Sequence, residues 1–142
     1  MTTTLLLDNS AWARLGDAAL PAGRADEIAD ALEAGRIAAC LPVLLETGYS
    51  ARSASEHDQL FAELRSLPQY HLDDAVEQRA LDAEAQLARV GNHRLPPVDL
   101  LVAALADRHG LGVLHYDHDY DLIASHTDLQ YESVWVAPRG SV

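Results

Sequence analysis

This chain contains no lysine: its 10 basic side chains, histidine aside, are all arginine. Any mechanism that requires a lysine is therefore excluded. Cysteine is almost as scarce. Cys40 is alone, so no internal disulfide forms, and between Ala39 and Leu41 it reads as a small buried strand residue. No apolar run approaches the roughly 20 residues that span a bilayer. Leu5-Leu6-Leu7 has no basic stretch ahead of it and does not read as a secretory signal. The expectation is a cytoplasmic protein without membrane contact. A glycine-rich phosphate loop is also missing, because Gly110-Leu111-Gly112 reads as a helix-to-strand turn. The formal net charge of -12 argues against a protein that coats nucleic acid, since those carry basic patches.

What is there fits one domain, residues 1–142, long enough to bury a core without disulfides or a structural metal. Short apolar runs at Thr4 to Leu7, Arg36 to Cys40, Gly112 to His115 and Gln130 to Val136 read as strands, with Tyr70 to Leu72 as a shorter one. Helical periodicity fills the intervals. A short helix is expected around Ala11 to Leu15, and Pro21 opens another with Ala25, Ile28, Ala29 and Leu32 on one face. Pro42 and Ser55 begin two more. The clearest helix carries Val76, Ala80, Ala83, Leu87 and Val90, with Asp74 and Glu77 in a capping-box pattern at its start. Pro96-Pro97 opens a helix carrying Val98, Leu101, Ala104 and Leu105 and closed by Gly110, and Asp117 to Ser125 forms a last one with Tyr120 and Ile123 inward. Trp12 and Trp135 read as core. Strands alternating with helices predict an α/β sandwich with a mostly parallel sheet.

In such a sheet ligands bind outside the carboxyl ends of the strands. Asp8 follows the first strand and Asp117 the third of the longer ones. Asp99 stands in the first turn of its helix, and Glu46 lies one turn into the helix after the second strand. Asp8, Glu46 and Asp99 sit among apolar neighbours, where an unpartnered charge is costly to bury. Gathered carboxylates raise one another's cost of ionisation, and a hard divalent cation removes that cost. Such an ion also activates water and stabilises the leaving oxygen of a phosphodiester.

Four segments give the chain a family resemblance. They are Leu-Leu-Leu-Asp-Asn-Ser (Leu5 to Ser10), Val-Leu-Leu-Glu-Thr-Gly-Tyr-Ser (Val43 to Ser50), Pro-Pro-Val-Asp-Leu-Leu-Val-Ala-Ala (Pro96 to Ala104) and Val-Leu-His-Tyr-Asp-His-Asp-Tyr (Val113 to Tyr120). In this order and spacing the chain resembles the PIN-domain nucleases, and within them the VapC-type toxins of bacterial toxin–antitoxin operons. The resemblance implies a three-layer α/β/α fold and a metal-dependent endoribonuclease that inhibits translation and growth. It implies that Asp8, Glu46, Asp99 and Asp117 bind Mg2+ or Mn2+ around the scissile phosphate of RNA, a transfer or ribosomal RNA in this family. Asp119 matches a second-tier acid, and Ser10 a hydroxyl that bonds within the acidic site. His115 departs from the pattern, standing where Thr or Ser is usual, and reads as a hydrogen-bonding substitute or a titrating neighbour. The resemblance also implies a homodimer and a VapB-type antitoxin whose basic segment enters the acidic cleft. Arg14, Arg52 and Arg94 are the residues assigned to an RNA-binding rim.

Other readings are weaker. Asp117, Asp119, Asp121 and Asp128 have calcium-loop spacing, but Leu122 stands where the loop needs glycine. His115, His118 and His126 match no zinc pattern. A receiver-type phosphoacceptor domain needs a lysine that is absent here. A catalytically silent PIN-fold binding module would have no use for all four main acids.

Overall fold

The computed structural model describes residues 3–142. Its strands are β1 (Leu5–Leu7), β2 (Ile37–Cys40), β3 (Gln69–Tyr70), β4 (Gly112–His115) and β5 (Glu132–Trp135). They form one sheet in the order β3-β2-β1-β4-β5, and every pairing is parallel. The helices are α1 (Asn9–Trp12), α2 (Ala22–Glu33), α3 (Leu41–Tyr49), α4 (Ala54–Arg65), α5 (Asp74–Arg89), α6 (Pro97–His109) and α7 (Asp119–His126). None is long and apolar enough to cross a membrane.

Strand alternation divides the core into two layers. Leu5 and Leu7 join Ile37 and Leu114 on one face, against Ile28 and Ala31 of α2 and Leu64 of α4. Leu6 joins Ala38, Cys40 and Val113 on the other, against α5, α6 and α7. Sheet and two helical layers thus make the α/β/α sandwich that the pattern predicts. Cys40 is fully buried, and burial pushes its thiol up to about 12, so it is inert packing.

The path of the chain creates the functional edge. From β1 it moves through β2 to β3, then crosses back to β4 on the other side of β1. Strand order therefore reverses between β1 and β4, and a crevice opens at their carboxyl ends.

Several local expectations are corrected. The first helix begins earlier, at Asn9, because Asp8 caps it by accepting from the Ser10 N–H. On α2 the buried residues are Ile28 and Ala31, while Ala29 and Leu32 face solvent. The cap of α5 is Asp73, which accepts from the Val76 N–H; Asp74 already lies inside the helix. Val90 is exposed because α5 stops at Arg89, where Gly91 turns the chain in a left-handed conformation (φ +75°). Trp12 and Trp135 are only partly buried.

Gly112 shows how tightly the central strands approach. A Cβ there would lie 2.6 Å from Leu5 Cδ2 and 3.1 Å from the Glu132 carbonyl oxygen. Gly112→Ala is expected to destabilise the fold by about 1–3 kcal/mol through overpacking. Urea denaturation checks this; an unchanged midpoint would show that the strands can part at no cost.

Candidate active site

Asp8 leaves the end of β1 and turns back on itself. Its Oδ2 accepts hydrogen bonds from the Ser10 backbone N–H (3.0 Å) and the Ser10 hydroxyl (2.5 Å). Ser10 Oγ in turn accepts from the Tyr116 N–H at 2.9 Å, tying the β1 exit to the β4 exit. Asp99 stands in the first turn of α6, where the helix dipole favours a negative charge. Both carboxylates are buried, at 3% and 4% exposure. Asp117 and Asp119 follow β4, and Asp117 Oδ1 accepts from the Asp119 N–H at 2.9 Å. Asp99, Asp117 and Asp119 each offer an oxygen, and these atoms lie within 4.8 Å of one another. Glu46, half-buried on α3, stands outside that tight group but senses its charge.

The electrostatics follow from crowding. Burial, then the charges of Asp8 and Asp117, push the Asp99 carboxyl up to about 8. Burial and the same two aspartates raise Glu46, and burial with Asp117 raises Asp119. Asp99 Oδ2 is buried without a hydrogen-bond partner. Three gathered carboxylates, one with an orphaned oxygen, are a hard-oxygen donor set, which fits Mg2+ or Mn2+. Asp99, Asp117 and Asp119 would hold the ion, with Asp8 and Glu46 beside them.

Tyr120 is the functional group that sequence reasoning missed. Placed inward as core, it is fully buried on α7, yet its hydroxyl donates to Asp8 Oδ1 (2.7 Å) and lies 3.2 Å from Asp99 Oδ1. One hydroxyl proton serves two carboxylates, so a proton on Asp99 completes the set while no cation is bound. The signal was available: a tyrosine aimed into a core needs a partner for its hydroxyl. Asn9, given no role from sequence, accepts from the Thr47 hydroxyl at 3.0 Å. This bond fixes α3, and with it Glu46, against the β1 exit.

His115 is fully buried between Tyr120 and Trp135. Its Nδ1 accepts from the Asp117 N–H (3.1 Å), and its Nε2 lies 2.7 Å from Ser133 Oγ. The Ser133 hydroxyl donates to Asp121 Oδ1, and Trp135 Nε1 donates to Asp121 Oδ2. An Nδ1 that accepts requires the proton on Nε2, and burial lowers the ring's proton affinity. This favours the hydrogen-bonding reading of His115. Asp121 points at β5 rather than toward Asp117, which removes the calcium-loop geometry. Of the arginines assigned to a rim, Arg14 stacks on Tyr116 (Cζ 4.2 Å from the ring centroid) and donates to the Ser10 carbonyl. Arg52 pairs with Glu56 on the outer surface, and Arg94 is exposed in the loop before Pro96.

The raised Asp99 fixes the sign of a pH effect. Between its ordinary value and about 8, the folded protein holds a proton that the unfolded chain has released. Without metal, stability is therefore full in acid and falls as pH rises through about 8. Urea midpoints are expected to decline from mildly acidic to alkaline pH, and Asp99→Asn to flatten the decline. An equal slope in the variant would place the effect elsewhere.

The PIN domain family model matches residues 5–125. Ribonuclease VapC21 of Mycobacterium tuberculosis (strain ATCC 25618 / H37Rv) is 39% identical over 143 residues, covering 99% of this chain and 99% of the relative. Ribonuclease VapC51 of the same strain is 37% identical over 142 residues, covering 100% and 99%. Among solved structures, VapBC-5 from Mycobacterium tuberculosis aligns with a TM-score of 0.62 at 23% identity, over 92% of this chain and 98% of that one. DNA-bound VapBC from Salmonella typhimurium aligns with a TM-score of 0.70 at 17% identity, over 95% and 99%. The two structures share the fold, and the family match together with the sequence relatives places this chain in the PIN-domain family.

Proposed function

We propose that this PIN domain is a divalent-metal-dependent endoribonuclease and the toxin of a VapBC-type toxin–antitoxin pair. The observation that carries the reading is the convergence of Asp99, Asp117 and Asp119, with an orphaned buried oxygen, at the switch between β1 and β4. The relatives named VapC ribonucleases span nearly the whole chain at 36–39% identity. A bound Mg2+ or Mn2+ would supply a positive charge that activates water and stabilises the leaving oxygen.

The chain's own residues set the stage. Ser10 and Tyr120 clamp Asp8 from both sides and stop it from turning away. The Asp117 N–H is held by His115, so the turn bearing Asp117 and Asp119 is fixed to the sheet. Glu46 is the open member of the group, and its raised proton affinity suits it to take a proton from an attacking water. The substrate is RNA, reached in the cytoplasm, of the transfer or ribosomal class. The cognate antitoxin would bring a basic segment to this acidic cleft, as the charge of -12 favours. A silent binding module would not explain four catalytic-type acids kept at one edge. A receiver-type phosphoacceptor is disfavoured because both oxygens of Asp8 are engaged.

A second feature supports the homodimer. Leu41, Leu45 and Tyr49 form one stripe along α3, exposed at 52%, 59% and 92%. They line an apolar groove with Leu72, Val98 and Leu101. Exposed aromatic and aliphatic side chains at helical spacing are what an interface core needs.

Purified protein is expected to cut RNA with Mg2+ or Mn2+, to stop on chelation, and to lose cleavage in Asp8→Asn and Asp99→Asn with the fold intact. Tyr120→Phe should weaken metal affinity by about 10- to 100-fold, measured by Mn2+ titration. Cleavage that survives both aspartate changes would sink the nuclease assignment. Leu45→Glu is expected to shift a dimer to a monomer in light scattering; an unaltered mass would place the interface on another face.

A further inference from the structure

Beside the acids, on the same carboxyl edge of the sheet, lies a cavity of about 620 Å³. His118, between Asp117 and Asp119, forms one wall and Trp135 another. Val136 and Pro138 add apolar surface, and Arg24 and Arg139 border it. In a chain of net charge -12 this is an unusual local balance. The Arg24 guanidinium is pinned to the wall by donating to the carbonyls of Trp135 (2.7 Å) and Val136 (3.1 Å). Its partner Glu27 is 56% exposed and offsets its charge weakly. Arg139 is exposed. The one acid in the cavity, Asp121, is occupied by Ser133, by the Trp135 indole N–H and by His118 at 3.4 Å.

The aromatic wall continues toward the acids. Trp135 meets His115 edge-on at 5.2 Å and Tyr116 at 5.6 Å, and Arg14 stacks on Tyr116. A positive border with an aromatic floor is the chemistry that holds unpaired nucleotides, because every base offers a face to stack. A paired base has both faces covered and must first leave its stack.

We infer that this cavity is a subsite for one unpaired nucleotide of the RNA, next to the scissile phosphate, with its base against Trp135 and its phosphate at Arg139 and Arg24. The inference rests on the ribonuclease reading and names the residues of this chain that would hold one nucleotide beside the cut. The indole is held by its bond to Asp121, so its face is set before RNA arrives and little ordering is needed.

Two measurements test it. In the cleavage-silenced Asp99→Asn protein carrying Trp12→Phe, Trp135 is the remaining tryptophan. A short oligoribonucleotide without internal pairing is expected to quench its emission, and the same strand annealed to its complement is not. In the cleavage-competent protein, Trp135→Ala should raise KM by about 5- to 140-fold, the range for losing one stacked base. Arg139→Glu should act on KM in the same direction. Trp135→Phe, which keeps an aromatic face but loses the bond to Asp121, should restore most of the affinity. Unchanged KM in Trp135→Ala and Arg139→Glu would overturn the subsite. So would a Phe variant as weak as the Ala variant, which marks a structural indole, or quenching by a basic antitoxin peptide and not by RNA. Failure of the nuclease reading looks different: the unaltered protein would cut no RNA at all, whatever Trp135 reports.

Discussion

The mutual repulsion of carboxylates gathered at the ends of β1 and β4 is the constraint around which the remaining polar structure is arranged. Burial, with the charges of Asp8 and Asp117 added, pushes the Asp99 carboxyl up to about 8. A fold left to itself would turn these side chains out to water. Here two of them are restrained by named donors: Ser10 and Tyr120 for Asp8, the Asp119 N–H for Asp117. One oxygen, Asp99 Oδ2, is left without a partner. A cation bound as proposed would meet side chains already held in place rather than ones it must gather.

The supports run outward from the acids in a connected set. Tyr120 packs its ring on His115, His115 holds the Asp117 N–H, and Ser133 and Asp121 fix the tautomer of His115. Asp121 also holds the Trp135 indole, so the group that steadies the acidic turn also shapes the neighbouring cavity. Departure from the usual hydroxyl at His115 is absorbed by Ser133 on the adjacent strand β5, which lies opposite Val113 in the parallel register.

Much of this was legible in the chain itself. Apolar triplets ending in Asp8 and the Pro-Pro step before Asp99 mark strand exit and helix entry through local rules of periodicity and capping. Local rules also explain the errors. The α2 stripe was misplaced by one turn position, because Ala29 and Ala31 are equally apolar and only packing against the sheet selects between them. The capping pattern pointed to Asp74 although Asp73, one residue before, makes the bond. Trp135 reads as core by residue type, yet its indole lies at the cavity wall because β5 is an edge strand.

The amino-acid sequence by itself determined the element order and the α/β character, since both depend on short-range spacing, while the acids were picked out by the family resemblance. Tertiary structure alone decided how those acids divide. It drew Asp99, Asp117 and Asp119 into one set, left Glu46 at the margin, and joined Asp8 to Asp99 through Tyr120. The reason is distance along the chain. Residues from β1, α6 and α7 meet only where strand order reverses, and no local pattern states how far apart their side chains come to rest.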